Sequence, residues 1–256
     1  MQWSESSETI YLSSETATVL PSLKINGINV IYEIRGEGEP LLIIPGLATD
    51  VTQIESLVEG LSKSYQVIAL DNRGVGRTDK PDIPYTIEMM AKDTAGLLMA
   101  LRVSRCNLLG FSMGGKIAIS VALEHPELVK SLILAFTSAR VNYDRGILWN
   151  LSNLLQRIPT IRAIGTKYPQ PYFAYVRQRD ASRAFDATPR LGEIKAPTVV
   201  IQGKRDKIVP NLLSEEIHSG IAGSSLVRVD GGHTYALTRQ KEFALLVTRL
   251  LNRRNE

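Results

Sequence analysis

The sequence predicts an α/β fold: a mostly parallel central sheet with helices on both faces and one short cap insertion. Three observations carry this. Apolar runs rich in Val, Ile and Leu recur at residues 41–44, 66–70, 106–111 and 129–135, separated by segments of helical periodicity. That alternation is the pattern of βαβ units, whose strands are buried on both faces. It resumes after residue 187, while the irregular stretch 138–187 breaks it.

Taken in order, residues 1–21 are rich in Ser, Thr and Glu and read as an N-terminal extension. They lack the basic start and apolar stretch of a secretory signal. Residues 23–34 read as a hairpin turning at Asn26-Gly27, a favoured two-residue turn. A strand at 41–44, a helix at 51–62, a strand at 66–70 and a turn at 71–76 follow. Residues 85–101 read as a helix with Thr86 as its N-cap. The strand 106–111, helix 113–124 and strand 129–135 complete the first half. Strands at 198–202 and 225–229, a helix at 211–221 and a final helix at 240–252 form the second. The core is therefore expected at 22–137 and 188–256, with a cap at 138–187. Within that cap, residues 147–156 show a helical apolar pattern.

At 256 residues and 44% hydrophobic, the chain can bury one large core. No run of eighteen apolar residues exists, so no membrane span is expected. The one cysteine, Cys106, forms no internal disulfide and reads as a buried small hydrophobe, which fits a reducing cytoplasm. There are no repeats, metal-ligand clusters or phosphate-binding P-loop, and no cofactor is expected. The cap holds eight Lys/Arg against three Asp/Glu, an excess of +5 in a chain of net +4, which leaves −1 elsewhere. Such charge could attract anionic substrates or a membrane surface. The simpler reading is a solvated face whose Arg stems cover apolar surface. Modest charge on an apolar segment argues against nucleic acid.

The chemical signal lies at residues 106–115. An apolar strand enters Gly110-Phe111-Ser112-Met113-Gly114 and a helix-forming run leaves it. That is the strand, sharp turn and helix of a nucleophile elbow, which presents a serine Oγ at the sheet edge. Glycine at 110 and 114 lets strand and helix approach closely. The pentapeptide alone also fits a glycine-rich turn that merely packs. The three histidines discriminate. His125 lies thirteen residues along the helix that Ser112 opens, about 20 Å away at 1.5 Å per residue. His218 falls in the pattern 211–221 and reads as a helix-surface residue. His233 follows a strand, on a glycine loop at the carboxyl edge where open α/β sheets bind ligands. It is the predicted base. Asp206, after the strand 198–202, occupies the same edge and is predicted to hold the imidazole tautomer. Its ordinary alternative is a turn aspartate. Asp230 is a rival, but only three residues separate it from His233. The loop Thr137-Ser138-Ala139-Arg140 offers no acid.

With these motifs together, the chain resembles the α/β-hydrolase fold superfamily from about Leu23 to the C-terminus. The resemblance rests on Ile44-Pro-Gly-Leu47, Asp71-Asn-Arg-Gly-Val-Gly-Arg-Thr78 and Gly110-Phe-Ser-Met-Gly-Gly115. It rests equally on Ala196-Pro-Thr-Val-Val-Ile-Gln-Gly203 with Asp206 and Val209-Pro210, and on Gly231-Gly-His233. Within the superfamily it is most similar to small carboxylesterases, 3-oxoadipate enol-lactonases and cofactor-free haloperoxidase-like esterases. The resemblance implies a three-layer fold and an oxyanion hole made by the backbone N–H groups of Leu47 and Met113. Many relatives have His-Gly before the first of these donors, where this chain has Pro45-Gly46. Serine at 112 argues against the dehalogenase and epoxide-hydrolase branches, which use aspartate there. The activity implied is hydrolysis of a small carboxylic ester or lactone through an acyl-enzyme on Ser112, without metal or cofactor. Carbon–carbon bond hydrolysis or perhydrolysis would use the same triad. A small-molecule receptor with little turnover is the alternative of another class. Oligomeric state is left open.

Overall fold

The structure, a computed structural model, describes residues 21–141, 154–155, 157–158 and 165–253. Residues 1–20 of the expected extension lie outside the described residues. So does the expected helix 147–156, apart from Leu154 and Leu155. Asn26 and Gly27 turn the first hairpin with φ of 47° and 81°, the left-handed pair that a tight hairpin needs. Across it, β1 (Ser22–Ile25) and β2 (Ile28–Arg35) pair antiparallel. The following strands are β3 (Pro40–Ile44), β4 (Gln66–Leu70), β5 (Cys106–Phe111), β6 (Val129–Ala135), β7 (Thr198–Gly203) and β8 (Ser225–Val229). These six pair in parallel, and β2 joins them antiparallel at β4. The sheet order is β1-β2-β4-β3-β5-β6-β7-β8.

Helices cover both faces. Leu41, Ile43, Val67 and Leu109 pack with α1 (Glu55–Leu61) and, far along the chain, with the C-terminal helix α7 (Gln240–Asn252). The alternate residues Leu42, Ile44, Ile68 and Leu108 pack with α2 (Ile87–Ala100) and α3 (Met113–Glu124). Side chains alternate along each strand, so both of its faces must be apolar. That is why β3, β5 and β7 read as continuous rather than alternating hydrophobic runs.

Three elements differ from expectation. The stretch 51–62 is not one helix. A 3-10 turn at Val51–Ile54, capped by the Asp50 side chain, precedes α1. Helix α2 starts at Ile87, after Thr86, whose Oγ1 accepts the Met89 N–H at 3.0 Å. Tyr85 stays outside it, its hydroxyl donating to Pro81 O at 2.7 Å. Inside the cap, α4 (Tyr172–Ala184) is a regular helix where no period was evident. Of its four buried residues, Ala174, Gln178 and Ala181 recur at helical spacing, with Tyr175 beside the first. The central one is polar, and that breaks the apolar signal. Helix α5 (Asn211–Gly220) follows β7, and the short α6 (Tyr235–Thr238) follows β8. No helix among the described residues is long and apolar enough to cross a membrane.

Candidate active site

Ser112 sits between β5 and α3 with φ 54° and ψ −123°. Left-handed φ is costly for a residue with a Cβ and persists only where its surroundings dictate it. They do so through glycine. A Cβ on Gly114 would lie 1.9 Å from Ile44 O, and one on Gly110 would lie 2.4 Å from Gly114 O. Helix α3 can therefore leave directly against β3 and β5 only without those side chains. Ser112 N–H donates to Ala135 O at 3.0 Å, and Thr137 Oγ1 donates to Ser112 O at 2.6 Å. The elbow is thus tied through its N–H to β6 and through its C=O to the loop that follows it.

The loops after β7 and β8 converge on the same edge. Lys204 N–H donates to Val229 O at 3.0 Å and Arg205 N–H to Gly231 O at 2.9 Å. Gly203 permits that crossing, since a Cβ there would lie 2.7 Å from Gly231 O. This brings the three predicted residues into line. Ser112 Oγ is 2.9 Å from His233 Nε2, and His233 Nδ1 is 2.9 Å from Asp206 Oδ2. Asp206 is almost fully buried at its side chain, 2% exposed, while His233 retains 17%. The other Asp206 oxygen, Oδ1, accepts the N–H groups of Ile208 and Val209, each at 2.8 Å. The rivals stand apart. Asp230 is exposed and pairs with Arg205, His218 contacts Ser224, and His125 contacts Glu127.

Leu47 and Met113 line a cavity of ≈ 290 Å³ together with Ser112 and His233. Among the described residues, neither of their N–H groups has an acceptor within the protein. Met113 opens α3, where N–H groups have no intrahelical partner and the helix dipole favours negative charge. Gly46 lets the Leu47 loop close on the serine, for its Cβ would lie 3.1 Å from Ser112 Cβ. Lys116 and Tyr175 also line the cavity and escape prediction. Lys116 is buried, with Nζ donating to Ser182 O at 2.7 Å and lying 6.0 Å from the Phe185 ring centroid. A lysine inside the otherwise apolar pattern of α3 was the signal available for it. Burial raises the Tyr175 phenol above its ordinary 10.0, so it remains a hydrogen-bond donor. Burial also pushes the Cys106 thiol up to about 12, which suits an inert core residue.

Comparison with known proteins agrees with the fold. The family model described as "alpha/beta hydrolase fold" matches residues 39–160. A solved enol-lactonase from Burkholderia xenovorans superposes with a TM-score of 0.78 at 26% identity, covering 91% of this chain and 100% of that one. The fold is that of the α/β hydrolases. In this α/β-hydrolase fold the turn between β5 and α3 carries Ser112, and the loops after β7 and β8 carry Asp206 and His233. The chain is 27% identical over 248 residues to the human serine hydrolase BPHL, covering 89% of this chain and 84% of that protein. It is 28% identical over 243 residues to a poly(3-hydroxyalkanoate) depolymerase of Ectopseudomonas oleovorans, covering 85% and 86%.

Proposed function

We propose that this protein is a serine hydrolase that cleaves a small carboxylic ester or lactone through an acyl-enzyme on Ser112. One observation carries the reading: the unbroken line from Ser112 Oγ through both ring nitrogens of His233 to Asp206, with each contact at 2.9 Å. An ionised carboxylate only accepts hydrogen bonds, so Nδ1 holds the ring proton and Nε2 is free to accept. Ser112 Oγ attacks the carbonyl carbon as its proton passes to Nε2. The oxyanion is held by the N–H groups of Leu47 and Met113. Collapse breaks the acyl–oxygen bond, and Nε2 returns its proton to the departing alkoxide. Water then gives a proton to Nε2 and attacks the acyl carbon, and the acid leaves as the proton returns to Ser112 Oγ. No step calls for a metal or cofactor. Carbon–carbon hydrolysis or perhydrolysis would use the same residues. The cap at 138–187 forms the outer wall through Tyr175 and Ser182.

The cavity wall adds a substrate preference. Lys116 brings its amine to the cavity wall, and a cationic side chain beside the serine favours an acyl group bearing a carboxylate. Aryl esters of graded length, with butyrate paired against hemisuccinate, test both statements. Wild-type protein should turn them over, and Ser112→Ala should lose on the order of 10⁵–10⁶-fold in kcat. Undiminished turnover in Ser112→Ala would sink the acyl-enzyme. Hemisuccinate no faster than butyrate would remove the anionic preference. Cleavage of diketones alone would indicate carbon–carbon hydrolysis, and ligand-dependent stabilisation without turnover would indicate a receptor.

A further inference from the structure

The loop that carries Leu47 has a problem to solve. Pro45 and Gly46 supply no polar side chain to hold it, and Ala48 takes φ 58°, a left-handed conformation that a residue with a Cβ avoids. Leu47 lies between them. Part of the anchoring is local: Asn72 Nδ2 donates to Pro45 O at 3.0 Å and Val51 N–H donates to Asp71 Oδ1 at 2.8 Å. The strained residue itself is held from the cap. Ala48 N–H donates to Gln178 Oε1, on α4, at 3.2 Å.

Gln178 is fully buried, and each of its polar atoms is used. Oε1 also accepts from Gln170 Nε2 at 2.9 Å, and Nε2 donates to Arg73 O at 2.7 Å. Arg73 is in turn fixed by Asp93, through Nε at 2.7 Å and Nη2 at 2.8 Å. Gln170 Nε2 reaches the same turn at Gly74 O, 2.8 Å away. One amide therefore spans three separate pieces of chain: the loop after β3, the loop after β4 and the cap helix.

We infer that Gln178 is a positioning residue for the oxyanion hole, holding Ala48 in its left-handed conformation so that the adjacent Leu47 N–H faces the reacting carbonyl. The cap is thereby part of the catalytic geometry rather than only a wall. Buried networks of this kind over-determine a strained backbone, which is the condition under which such strain survives. The inference rests on the acyl-transfer reading above.

Two variants test it, with p-nitrophenyl butyrate as substrate and an aryl trifluoromethyl ketone as inhibitor. The ketone adds the serine and forms an oxyanion, so its Ki reads the hole, while KM follows ground-state binding more closely. Gln178→Met keeps the length of the side chain and removes both hydrogen-bonding groups. It should lower kcat by about 10- to 100-fold and raise Ki by a similar factor, with KM within two-fold. Gln178→Glu retains the acceptor but can donate to Arg73 O only when protonated. Its kcat should therefore recover towards low pH relative to wild type, giving a pH limb that wild type lacks. That second variant decides the matter if the first does not fold. Folded Gln178→Met with wild-type kcat and Ki, or Gln178→Glu with a wild-type pH profile, overturns the inference alone. Wild-type protein that neither hydrolyses the ester nor binds the ketone overturns the acyl-transfer reading and this one with it.

Discussion

Asp206 uses both carboxylate oxygens, and the division of labour matters. Two loop N–H groups hold Oδ1, which fixes the plane of the group, and Oδ2 is left to receive His233 Nδ1–H. An amide cannot do both. In Asp206→Asn, either the NH2 faces the donors of Ile208 and Val209, or it faces His233 and favours the wrong tautomer. Steady-state kinetics of Asp206→Asn should show kcat reduced about 10⁴-fold, with thermal stability changed much less than activity. Asp230→Asn, at an exposed position, should leave kcat unchanged. An equal loss in both variants would remove Asp206 from its role. The motif order and the glycine loops led to Asp206 and His233 in the sequence. Tyr175 and Gln178 did not announce themselves, because residue type alone does not say which way a helical side chain faces a cavity.

The turn at Ser112 shows what an element must give up to hold a residue at positive φ. Helix α3 begins where Gly114 meets β3 backbone, so any side chain there collides with Ile44 O, which has no freedom to move. Gly114→Ala should cost about 3 kcal/mol or more by denaturant unfolding, at the upper end of overpacking effects. Gly192→Ala serves as the control, since a Cβ there meets nothing nearer than 4.0 Å, and it should be close to neutral. Similar losses in both would show that loss of glycine freedom, rather than contact, governs these sites. Among the elements, β3, β5 and α3 were legible because their apolar runs are long and end at glycine or proline. Helix α4 was not, because Gln178 occupies the middle of its buried stripe.

At the scale of the molecule, the loops at the carboxyl edge are held from beneath by a buried ion pair. Arg73 and Asp93 are 4% and 3% exposed at their side chains and join the loop after β4 to α2. A buried pair adds little net stability, but removing one partner strands the other charge. Asp93→Ala should therefore lose about 3–5 kcal/mol in urea unfolding. The double variant Arg73→Met/Asp93→Leu should recover much of that loss, since no charge is then left unpaired. Equal destabilisation in single and double variants would assign the pair a larger intrinsic role. Three of the described arginines of 138–187 behave differently. Arg140, Arg177 and Arg179 pair with Glu216, Asp82 and Asp180. Arg140 and Arg177 are part-exposed, while Arg179 is mostly covered.

The sequence by itself determined the alternation of strands and helices, and it singled out Ser112, His233 and Asp206, the three residues that the structure brings into contact. Each of these follows from local chemistry: apolar period, glycine where backbones must touch, and loop residues at the ends of strands. Tertiary structure alone decided how those loops are held. The contact between Ala48 and Gln178 spans 130 residues, and that between Ser112 and His233 spans 121. A motif can announce the second because its residues keep fixed neighbours. Nothing near Gln178 in the chain signals the first, because its partners in the two loops are backbone groups, and every residue carries those.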